Sequence, residues 1–218
     1  MEKNLKIVAI VQARFNSKRF PGKVLKKIYG KTVLEILLKR LQKSKKITKI
    51  VLATSKENSD LAIVDLANKL NFDVFLGSKN DVLSRFYYAA KKFKADAIIR
   101  ITADCPLIDP NLVDDLIKKF TQSEFDYISN SIDPSFPDGL DVEIFKYKAL
   151  KRAFKECKNS LQREHVTPYF YKSDKFKILN IKNDIDYSNA RWTLDEEADY
   201  DVLKNIFKHF KPNIFFFM

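Results

Sequence analysis

The sequence predicts an α/β protein whose core is a three-layer, doubly wound, mixed but mostly parallel sheet. Short apolar runs typical of buried strands alternate with stretches of helical spacing through the first half of the chain. Such alternation requires parallel strands with helices on both faces, and ligands then bind beyond the carboxyl ends of the strands. In the second half, two strand-like runs are connected by a Pro- and Asp-rich segment, residues 133–139, instead of a helix. We therefore expect a mixed sheet with a small inserted substrate lobe.

The first strand and the first helix have the clearest signals. Residues 6–11 read Lys-Ile-Val-Ala-Ile-Val, and this almost unbroken apolar run favours a central parallel strand buried on both faces. A polar and basic loop follows at residues 12–30. Residues 32–41 then place apolar side chains at helical spacing, with Thr32 as the N-cap and Glu35 completing a capping box.

The remaining elements follow the same two periodicities to the end of the chain. The other predicted strands are residues 50–53, 73–76, 97–101, 126–130, 140–145 and 176–181. The other predicted helices are residues 60–70, 81–93, 148–158, 161–171 and 196–210, with one more beginning near Pro110. Because no repeat or linker interrupts the series, we expect one domain over residues 1–218, in which the inserted lobe takes up approximately residues 125–185.

The composition is that of a globular protein with one substantial core. The chain has 218 residues, 45% of them hydrophobic, with four Gly and seven Pro, which excludes a disordered, collagen-like or disulfide-stapled chain. The 40 Lys and Arg against 28 Asp and Glu give a formal charge of +12, which would suit a nucleic-acid-binding protein. However, only eight of the 40 are Arg and the Lys are spread along the whole chain, as on a solvated basic surface. We expect no nucleic-acid partner.

The cysteines and the apolar runs indicate the compartment. Cys105 and Cys157 form no CxxC pair, so neither a disulfide framework nor structural zinc is expected. No apolar run approaches the roughly 20 residues of a membrane helix, and the first residues lead into a strand without the pattern of a signal peptide. We expect a cytoplasmic protein with no membrane partner.

Residues 12–23 form a candidate phosphate-binding loop at the carboxyl end of the first strand. Arg14, Arg19 and Lys23 supply positive charge and fork-shaped donors where a polyanion would dock. The glycine patterns GxxxxGK[ST] and GxGxxG are both absent, so such a site would be built from side chains. A basic surface loop is the alternative, and the use of Arg in so Lys-rich a chain counts against it.

Asp104, just beyond the strand at residues 97–101, is the second candidate. Its carboxylate would face the same crevice as the basic loop, and an oxygen ligand there suits Mg²⁺ held jointly with substrate phosphates. The alternative is a cap on the helix that begins near Pro110. Asp109 fits the capping role better, because Asp directly before a Pro at the first helical position is a common helix start.

The loop at residues 12–23 and the segment at residues 103–108 together resemble the cytidylyltransferases that activate acidic sugars, such as the CMP-3-deoxy-manno-octulosonate and CMP-sialate synthetases. The pattern QAR-x-x-S-x-R-x-PGK-x-L of the spore-coat polysaccharide biosynthesis protein F group is present intact. Further blocks similar to that group follow in order at residues 77–87, 136–143, 163–169 and 191–195. The resemblance covers nearly the full length and implies the nucleotide-diphospho-sugar transferase fold.

The resemblance implies roles for individual residues. The implied nucleotide-binding residues are Ala13, Arg14, Ser17, Arg19, Lys23, Ser78 and Arg85, and the implied catalytic residues are Arg14, Lys23 and Asp104. Asp104 and Asp195 would hold Mg²⁺, although capping of the following helix is an equal alternative for Asp195. In the implied reaction, an acceptor hydroxyl or phosphate attacks the α-phosphorus of CTP, pyrophosphate leaves, and no covalent enzyme intermediate forms.

The acceptor would bind in the inserted lobe. Asp141 and Glu143 are two residues apart, so they would share one face of a strand and, with Asp138, suit sugar hydroxyls or an amino substituent. Arg163 and His165 suit a carboxylate or phosphate of the acceptor, with helix-surface pairing as the alternative. We therefore expect CTP and a small polar acceptor, a sugar acid or a phosphorylated compound, as substrates.

Two other functions remain open, and one assembly is expected. A nucleotidyltransferase with another base preference or a glycosyltransferase would keep the fold, but residues 103–105 read Ala-Asp-Cys and lack the DxD of many glycosyltransferases. Nucleic-acid binding is the weaker alternative, because acidic blocks at residues 138–143 and 195–201 flank the crevice. The aromatic tail at residues 207–218 either packs on the body or covers a second subunit, and we expect a homodimer.

Overall fold

A seven-stranded sheet runs through the computed structural model, which describes residues 5–213 and residue 216. The strands are β1 (Ile7–Gln12), β2 (Lys27–Ile28), β3 (Lys31–Thr32), β4 (Lys49–Ser55), β5 (Asp73–Gly77), β6 (Ala97–Thr102), β7 (Tyr127–Ser129), β8 (Glu143–Lys146) and β9 (Ile178–Asn180). The helices are α1 (Val33–Leu41), α2 (Leu61–Lys69), α3 (Val82–Lys92), α4 (Pro110–Thr121), α5 (Tyr147–Glu156), α6 (Ser160–His165), α7 (Pro168–Tyr171) and α8 (Glu197–Phe210).

The strand order of the sheet is β5-β4-β1-β6-β8-β7-β9, while β2 and β3 form a separate small hairpin. β1 lies at the centre and pairs in parallel with β4 and with β6. β8 is antiparallel to both of its neighbours, and the other six strands share one direction. The predicted doubly wound, mixed but mostly parallel sheet is confirmed. The strands at residues 125–185 complete this same sheet.

The two faces of the sheet are covered by different helices. Ile7, Ala9 and Val11 of β1 are buried in the apolar cluster that also holds the apolar faces of α1, α2 and α4. Val8 and Ile10 are buried in the opposite cluster, with α3 and α5. This is the three-layer arrangement, and it follows from the alternation of side chains along a strand that is apolar at every position. A third cluster packs α8 against α1 and the residues after β6.

Two helix starts lie where the sequence predicts them. The side chain of Thr32 accepts a hydrogen bond from the backbone N–H of Glu35 at 3.1 Å, so Thr32 is the N-cap of α1. Asp109 accepts from the N–H of Asn111 at 2.7 Å, with Pro110 at the first position of α4. Asp109 is therefore the cap of this helix, and Asp104 is left for another role.

One predicted helix is wrong in its extent. Residues 161–171 form two short helices, α6 and α7, instead of one. Val166 between them has φ +68°, a left-handed conformation that ends α6. Pro168 then opens α7 at its first position, where a missing N–H costs nothing.

The predicted strand at residues 140–145 begins later, at Glu143. The side-chain amide of Asn130 donates to the carbonyl of Leu140 at 2.9 Å and accepts from the N–H of Val142 at 2.8 Å. These bonds occupy backbone groups that a longer strand would use in its ladder. The first part of the expected strand is therefore a loop held by one buried asparagine.

The described part of the aromatic tail packs on the body. The Phe216 ring lies 3.9 Å from the Phe210 ring and 4.9 Å from the guanidinium of Arg40, measured between centres. The remaining aromatic residues of the predicted tail contact, Phe215 and Phe217, lie outside the described residues. Across residues 5–213 and 216, no helix combines the length and the apolar character needed to span a bilayer.

Candidate active site

Two neighbouring cavities open at the carboxyl ends of β1 and β6. The first, here called the basic cavity, has a volume of about 620 Å³, and its lining includes Arg14, Ser17, Lys23, Arg85, Asp104 and Asp195. The second, here called the acidic cavity, has a volume of about 270 Å³, and its lining includes Ser131, Asp141, Glu143, Thr167 and Tyr171. Arg100, Thr102 and His165 line both and form a shared wall.

The basic loop is closed by backbone contacts that place Lys23. The N–H of Gly22 donates to the carbonyl of Phe15 at 2.9 Å, which folds residues 15–22 back on themselves. Gly22 has φ +69°, and a Cβ there would lie 3.2 Å from the Phe15 ring, so glycine suits both the conformation and the space. A single 3₁₀ turn, Lys23–Leu25, follows at once and directs Lys23 inwards.

The carboxylate of Asp60 holds the backbone of the same loop at Phe15. Its carboxylate accepts from the N–H of Phe15 at 2.7 Å and from the hydroxyl of Thr54 at 2.9 Å, and it is almost fully buried. Burial alone would raise the pKa of Asp60, but the hydrogen bonds from Phe15, Ser55 and Thr54 lower it below its usual value. Asp60 was predicted only as a helix start. The signal for its role was the pair Thr54 and Ser55 at the end of an apolar strand.

Lys23 joins two carboxylates that are distant in sequence. Its Nζ lies 2.5 Å from Oδ2 of Asp104 and 2.6 Å from Oδ1 of Asp195. The residue is 7% exposed. Burial alone would lower the pKa of Lys23, and the two carboxylates raise it above its usual value, so the group is an ammonium at neutral pH. The structure therefore brings together three side chains that sequence reasoning assigned to one site.

Asp195 is oriented by the start of α8. Glu196 is the N-cap of that helix in a capping box with Asp199, so the capping alternative for Asp195 is removed. Asp199 accepts the N–H of Asp195 at 2.8 Å, and Arg191 bonds Asp199 at 2.9 Å. The carboxylate of Asp195 then points to Lys23 and to Arg19, whose Nη2 lies 2.6 Å away. Arg191 is a positioning residue that the sequence analysis left without a role.

Asp104 and Asp195 fit a magnesium ion only if a bound substrate supplies further ligands. Both side chains offer hard oxygen donors, and one oxygen of each lies within hydrogen-bonding distance of the same Lys23 nitrogen. Among the described residues, no group of three or more His, Cys, Asp and Glu side chains is arranged to hold a metal ion. A six-coordinate Mg²⁺ at this pair would thus need phosphate and water oxygens as its remaining ligands.

Arg85 lines the basic cavity and carries an unsatisfied donor. It is 3% exposed, and its Nη1 donates to the carbonyl of Ser78 at 3.2 Å. Its Nε is buried and has no hydrogen-bond partner. Burial lowers the pKa of Arg85 to about 10, so the guanidinium keeps its charge at neutral pH. A buried donor without a partner is costly, and an acceptor atom of a bound ligand would satisfy it.

The other expected nucleotide-binding residues do not all line the basic cavity. Ala13, Arg14, Ser17 and Arg19 line the basic cavity. Ser78 does not line it. The Ser78 hydroxyl accepts from a backbone N–H at the start of α3, and its carbonyl accepts from Arg85, so Ser78 acts on the cavity through that arginine.

The shared wall contains a buried ion pair. Arg100 is hydrogen-bonded through Nη1 to Glu143, and the Tyr127 hydroxyl donates to the other Glu143 oxygen at 2.6 Å. Arg100 also donates through Nε to the side chain of Gln12 at 3.2 Å. Burial alone would lower the pKa of Arg100, and Glu143 raises it above its usual value, so the guanidinium keeps its charge. Sequence reasoning gave Arg100 no role, although a charged residue inside an apolar strand was a signal.

Asp141 lines the acidic cavity. It precedes β8, so the shared strand face expected for Asp141 and Glu143 is not what brings them together. The loop held by Asn130 does so instead. Burial raises the pKa of Asp141 to about 7, with further contributions from the carboxylates of Asp138 and Glu143.

The structure places Arg163 away from the acceptor site expected for it. Its guanidinium donates to Oδ2 of Asp81 from Nη2 at 2.7 Å and from Nε at 3.1 Å, and to the carbonyls of Phe154 and Cys157. Asp81 is the N-cap of α3, so Arg163 joins α6 to α3 and α5. Arg163 lines neither the basic nor the acidic cavity, and its donors already have partners.

Asp138 also lies outside both cavities. Its Oδ2 accepts from Nη1 of Arg191 at 2.9 Å. Asp138 therefore belongs to the network that orients Asp195, while its charge acts on Asp141 through space. Of the five expected acceptor residues, the structure brings Asp141, Glu143 and His165 to one cavity.

The chain is similar to known proteins over most of its length. A family model described as cytidylyltransferase matches residues 8–208. An uncharacterized protein of Methanocaldococcus jannaschii is 42% identical over 209 residues, which are 94% of this chain and 85% of that protein. The spore coat polysaccharide biosynthesis protein SpsF of Bacillus subtilis strain 168 is 31% identical over 212 residues, which are 93% of this chain and 86% of that protein.

A solved structure has the same fold. The structure of a cytidylyltransferase from Leptospira borgpetersenii serovar Hardjo-bovis superposes with a TM-score of 0.94 at 34% sequence identity. The match covers 97% of this chain and 90% of that one.

Proposed function

The chain belongs to the cytidylyltransferase family, and from this membership we propose that it transfers CMP from CTP to a small polar acceptor, with release of pyrophosphate. Membership makes it a nucleotidyltransferase enzyme. The donor, the metal and the acceptor belong to the proposal.

The observation that carries this proposal is the charge of the basic cavity. Its lining holds seven Lys or Arg side chains against three carboxylates, a balance that favours a polyanion such as a triphosphate. Arg14 and Arg19 are half exposed at its mouth, with side-chain exposures of 51% and 58%, so their guanidinium groups are open to phosphate oxygens. The cavity lies beyond the carboxyl ends of β1 and β6, where doubly wound folds bind nucleotides.

In the proposed reaction, an oxygen of the acceptor forms a bond to the α-phosphorus while the bond from that phosphorus to the β-phosphate oxygen breaks. Pyrophosphate leaves with the electron pair, and the proton of an attacking hydroxyl passes to water. Lys23 and Arg14 neutralise charge that builds on the phosphate oxygens. Arg85 offers its unpaired Nε–H to an acceptor atom of the nucleotide.

We propose that Mg²⁺ is the cofactor, held by Asp104 and Asp195 together with phosphate oxygens. Bound there, the ion would withdraw charge from the α-phosphate and from the leaving pyrophosphate. Lys23 keeps the two carboxylates close together, and Arg191 with Asp199 fixes the direction of Asp195. These contacts support a preformed pair of oxygen ligands.

The acceptor in this proposal is a sugar or a related polyhydroxy compound, for which a sugar acid and a phosphorylated compound are the sequence-based candidates. The name of the B. subtilis relative refers to a spore coat polysaccharide, and we propose that this chain serves the synthesis of a surface glycan. The acidic cavity, with its hydroxyl groups and carboxylates, is the proposed acceptor site.

Pyrophosphate release tests the donor. The purified protein is incubated with Mg²⁺, each of the four ribonucleoside triphosphates in turn, and a panel of sugars, sugar acids and phosphorylated alcohols. We expect release with CTP and at least one acceptor. Release with UTP or GTP and not with CTP would contradict the assignment of the base, and retention of full activity in EDTA would contradict the metal.

The expected homodimer is also a proposal. Gel filtration with light scattering is expected to give twice the chain mass of 25.4 kDa. A single-chain mass at every concentration would remove the proposal without affecting the chemistry.

A further inference from the structure

We propose that the acidic cavity binds a polyhydroxylated acceptor that presents a cationic amino group to Asp141. This inference rests on the proposed function, because it assigns the acidic cavity to the acceptor. It differs from the sugar acid expected from the sequence in the sign of the charge that the protein recognises.

The first step concerns the cation of the cavity. Arg100 is the single Lys or Arg among the described residues that line the acidic cavity. Its side chain is 15% exposed and is paired with Glu143, whose side chain is 5% exposed. A carboxylate on the acceptor would meet an arginine whose charge Glu143 already compensates. Drawing Arg100 away from Glu143 would leave Glu143 buried without its cation, which is costly.

Arg163, the other arginine expected to meet an acidic group, is committed elsewhere. Two of its nitrogens bond Asp81, and a third donates to two backbone carbonyls. The expected anion-binding pair of Arg163 and His165 is therefore not formed in the acidic cavity, where His165 stands without that arginine.

The second step concerns the anion. Asp141 faces the cavity and forms no ion pair within the described residues, while the neighbouring Glu143 is paired with Arg100 and Tyr127. The position of Asp141 is fixed, because Asn130 bonds the backbone on both sides of it, at Leu140 and Val142. A rigidly held carboxylate without a cation is a site for an ammonium group.

The charged groups around Asp141 also favour a positively charged ligand. The charged and titratable groups that act on it are Asp138, Glu143 and Arg100, and its own charge acts on the buried thiol of Cys105. Two carboxylates thus face it against one arginine that is already paired. Burial and these carboxylates raise the pKa of Asp141 to about 7, and a cationic ligand would relieve the cost of its ionised form.

The remaining lining supplies partners for hydroxyl groups. Thr102, Ser131, Thr167 and Tyr171, which all carry hydroxyl groups, are among the lining residues. The volume of about 270 Å³ suits one monosaccharide-sized ring. Because Arg100, Thr102 and His165 also line the basic cavity, an acceptor bound here adjoins the proposed triphosphate site.

A series of hexoses that differ in charge at one carbon tests the inference by binding alone. The ligands are 6-amino-6-deoxy-D-glucose, D-glucose and D-glucuronate, and affinities are measured by calorimetry or saturation-transfer NMR at pH 8 in the presence of CTP. We expect the amino sugar to bind at least tenfold more tightly than glucose, and glucuronate to bind most weakly. A preference for glucuronate, or equal or undetectable binding of all three, overturns the proposal.

A matched pair of variants locates the effect. Asp141→Asn is expected to reduce the preference for the amino sugar to within about twofold. Asp133→Asn removes a carboxylate that is exposed and paired with Lys182, outside the cavity, and is expected to keep the preference. Retention of the preference in D141N would overturn the assignment to Asp141. The ligand series with the unaltered protein decides the sign of the charge even if D141N fails to fold.

The outcome is separable from that of the proposed function. Pyrophosphate release with CTP reports the donor and the chemistry, whereas the hexose series reports the charge of the acceptor cavity. Activity with CTP and a sugar acid alone would overturn this inference and leave the proposed function standing. If the protein preferred the amino sugar but released no pyrophosphate from CTP, the proposed function would be overturned and the charge assigned to the acidic cavity would stand.

Discussion

The basic and acidic cavities share a wall, yet they use arginine in opposite ways. In the basic cavity, Arg14 and Arg19 are half exposed and Arg85 keeps an unpaired Nε, so positive charge is available to a ligand. In the acidic cavity, Arg100 is buried against Glu143, and the charge that remains is the carboxylate of Asp141. The difference teaches that the sign a site presents depends on how exposed its charged groups are to a ligand, as well as on how many of each sign line it.

The largest expected effect is at the carboxylate pair of the basic cavity. Asp104→Asn replaces a carboxylate by a neutral amide, which weakens a ligand of the proposed Mg²⁺ and removes the charge that faces Lys23, and turnover is expected to fall about a thousandfold. Pyrophosphate release measures the loss, and circular dichroism checks the fold.

Asp109→Asn is the matched control for this change. It alters a neighbouring Asp whose role is to cap α4, and Asn caps helices about as well as Asp, so stability should change by less than about 1 kcal/mol while turnover stays within twofold. Equal losses of turnover in D104N and D109N would show that the cavity assignment of Asp104 is wrong.

Arg85→Lys should separate the two cavities in the kinetics. Lysine keeps the charge but lacks the Nε–H and the planar fork, so KM for CTP is expected to rise about tenfold. The KM of the acceptor should stay constant, because Arg85 does not line the acidic cavity. A change in the acceptor KM alone would mean that the two cavities have been assigned the wrong way round.

Arg163→Lys tests whether Arg163 holds the helices together or binds the acceptor. Lysine lacks the planar fork and so loses the paired bonds to Asp81, and the free energy of unfolding is expected to fall by about 1–2 kcal/mol. Urea unfolding measures this loss. Both KM values are expected to be unchanged, and a selective rise in the acceptor KM would place Arg163 at the acceptor site.

The smallest expected effect is the pH dependence of stability at Asp141. The pKa of its carboxyl group is raised in the folded chain, from 3.8 to about 7, so folding favours the protonated form. Its contribution to stability is fully present below pH 4 and is lost as the pH rises through about 7.

Asp141→Asn removes this loss. The free energy of unfolding of D141N, relative to that of the parent protein, should therefore rise by about 2 kcal/mol between pH 5 and pH 8. This is less than the full effect of the pKa shift, because solvent screens the charge. Urea unfolding at the two pH values measures the gain. If the free energies of unfolding of the two proteins changed equally with pH, the raised pKa of Asp141 would be contradicted.

Local signals in the sequence determined the central sheet and the helix starts. β1, β4 and β6 were predicted within about two residues, because a strand buried on both faces needs an apolar residue at almost every position. The caps at Thr32 and Asp109 were predicted because capping depends on residues a few positions apart. The basic loop and Asp104 could be assigned to one crevice, since both follow parallel strands.

The pairing of charges was decided by the tertiary structure. Lys23 meets Asp195 across 172 positions of sequence, and Arg163 meets Asp81 across 82. No periodicity encodes such contacts, so the sequence left Asp195 between two roles and did not predict the partner of Arg163. The start of β8 was missed for the same reason, because one side chain, Asn130, takes the backbone bonds of the loop before it.

The sequence by itself thus determined the layers of the protein and the edge of the sheet at which its chemistry lies. Only the tertiary structure decided which of the charged groups at that edge remain available. Strands and caps form from neighbours in the chain, whereas an ion pair forms between whichever opposite charges the fold brings within reach. Arg100 and Asp141 are the clearest instances, one neutralised and the other left without a cation among the described residues.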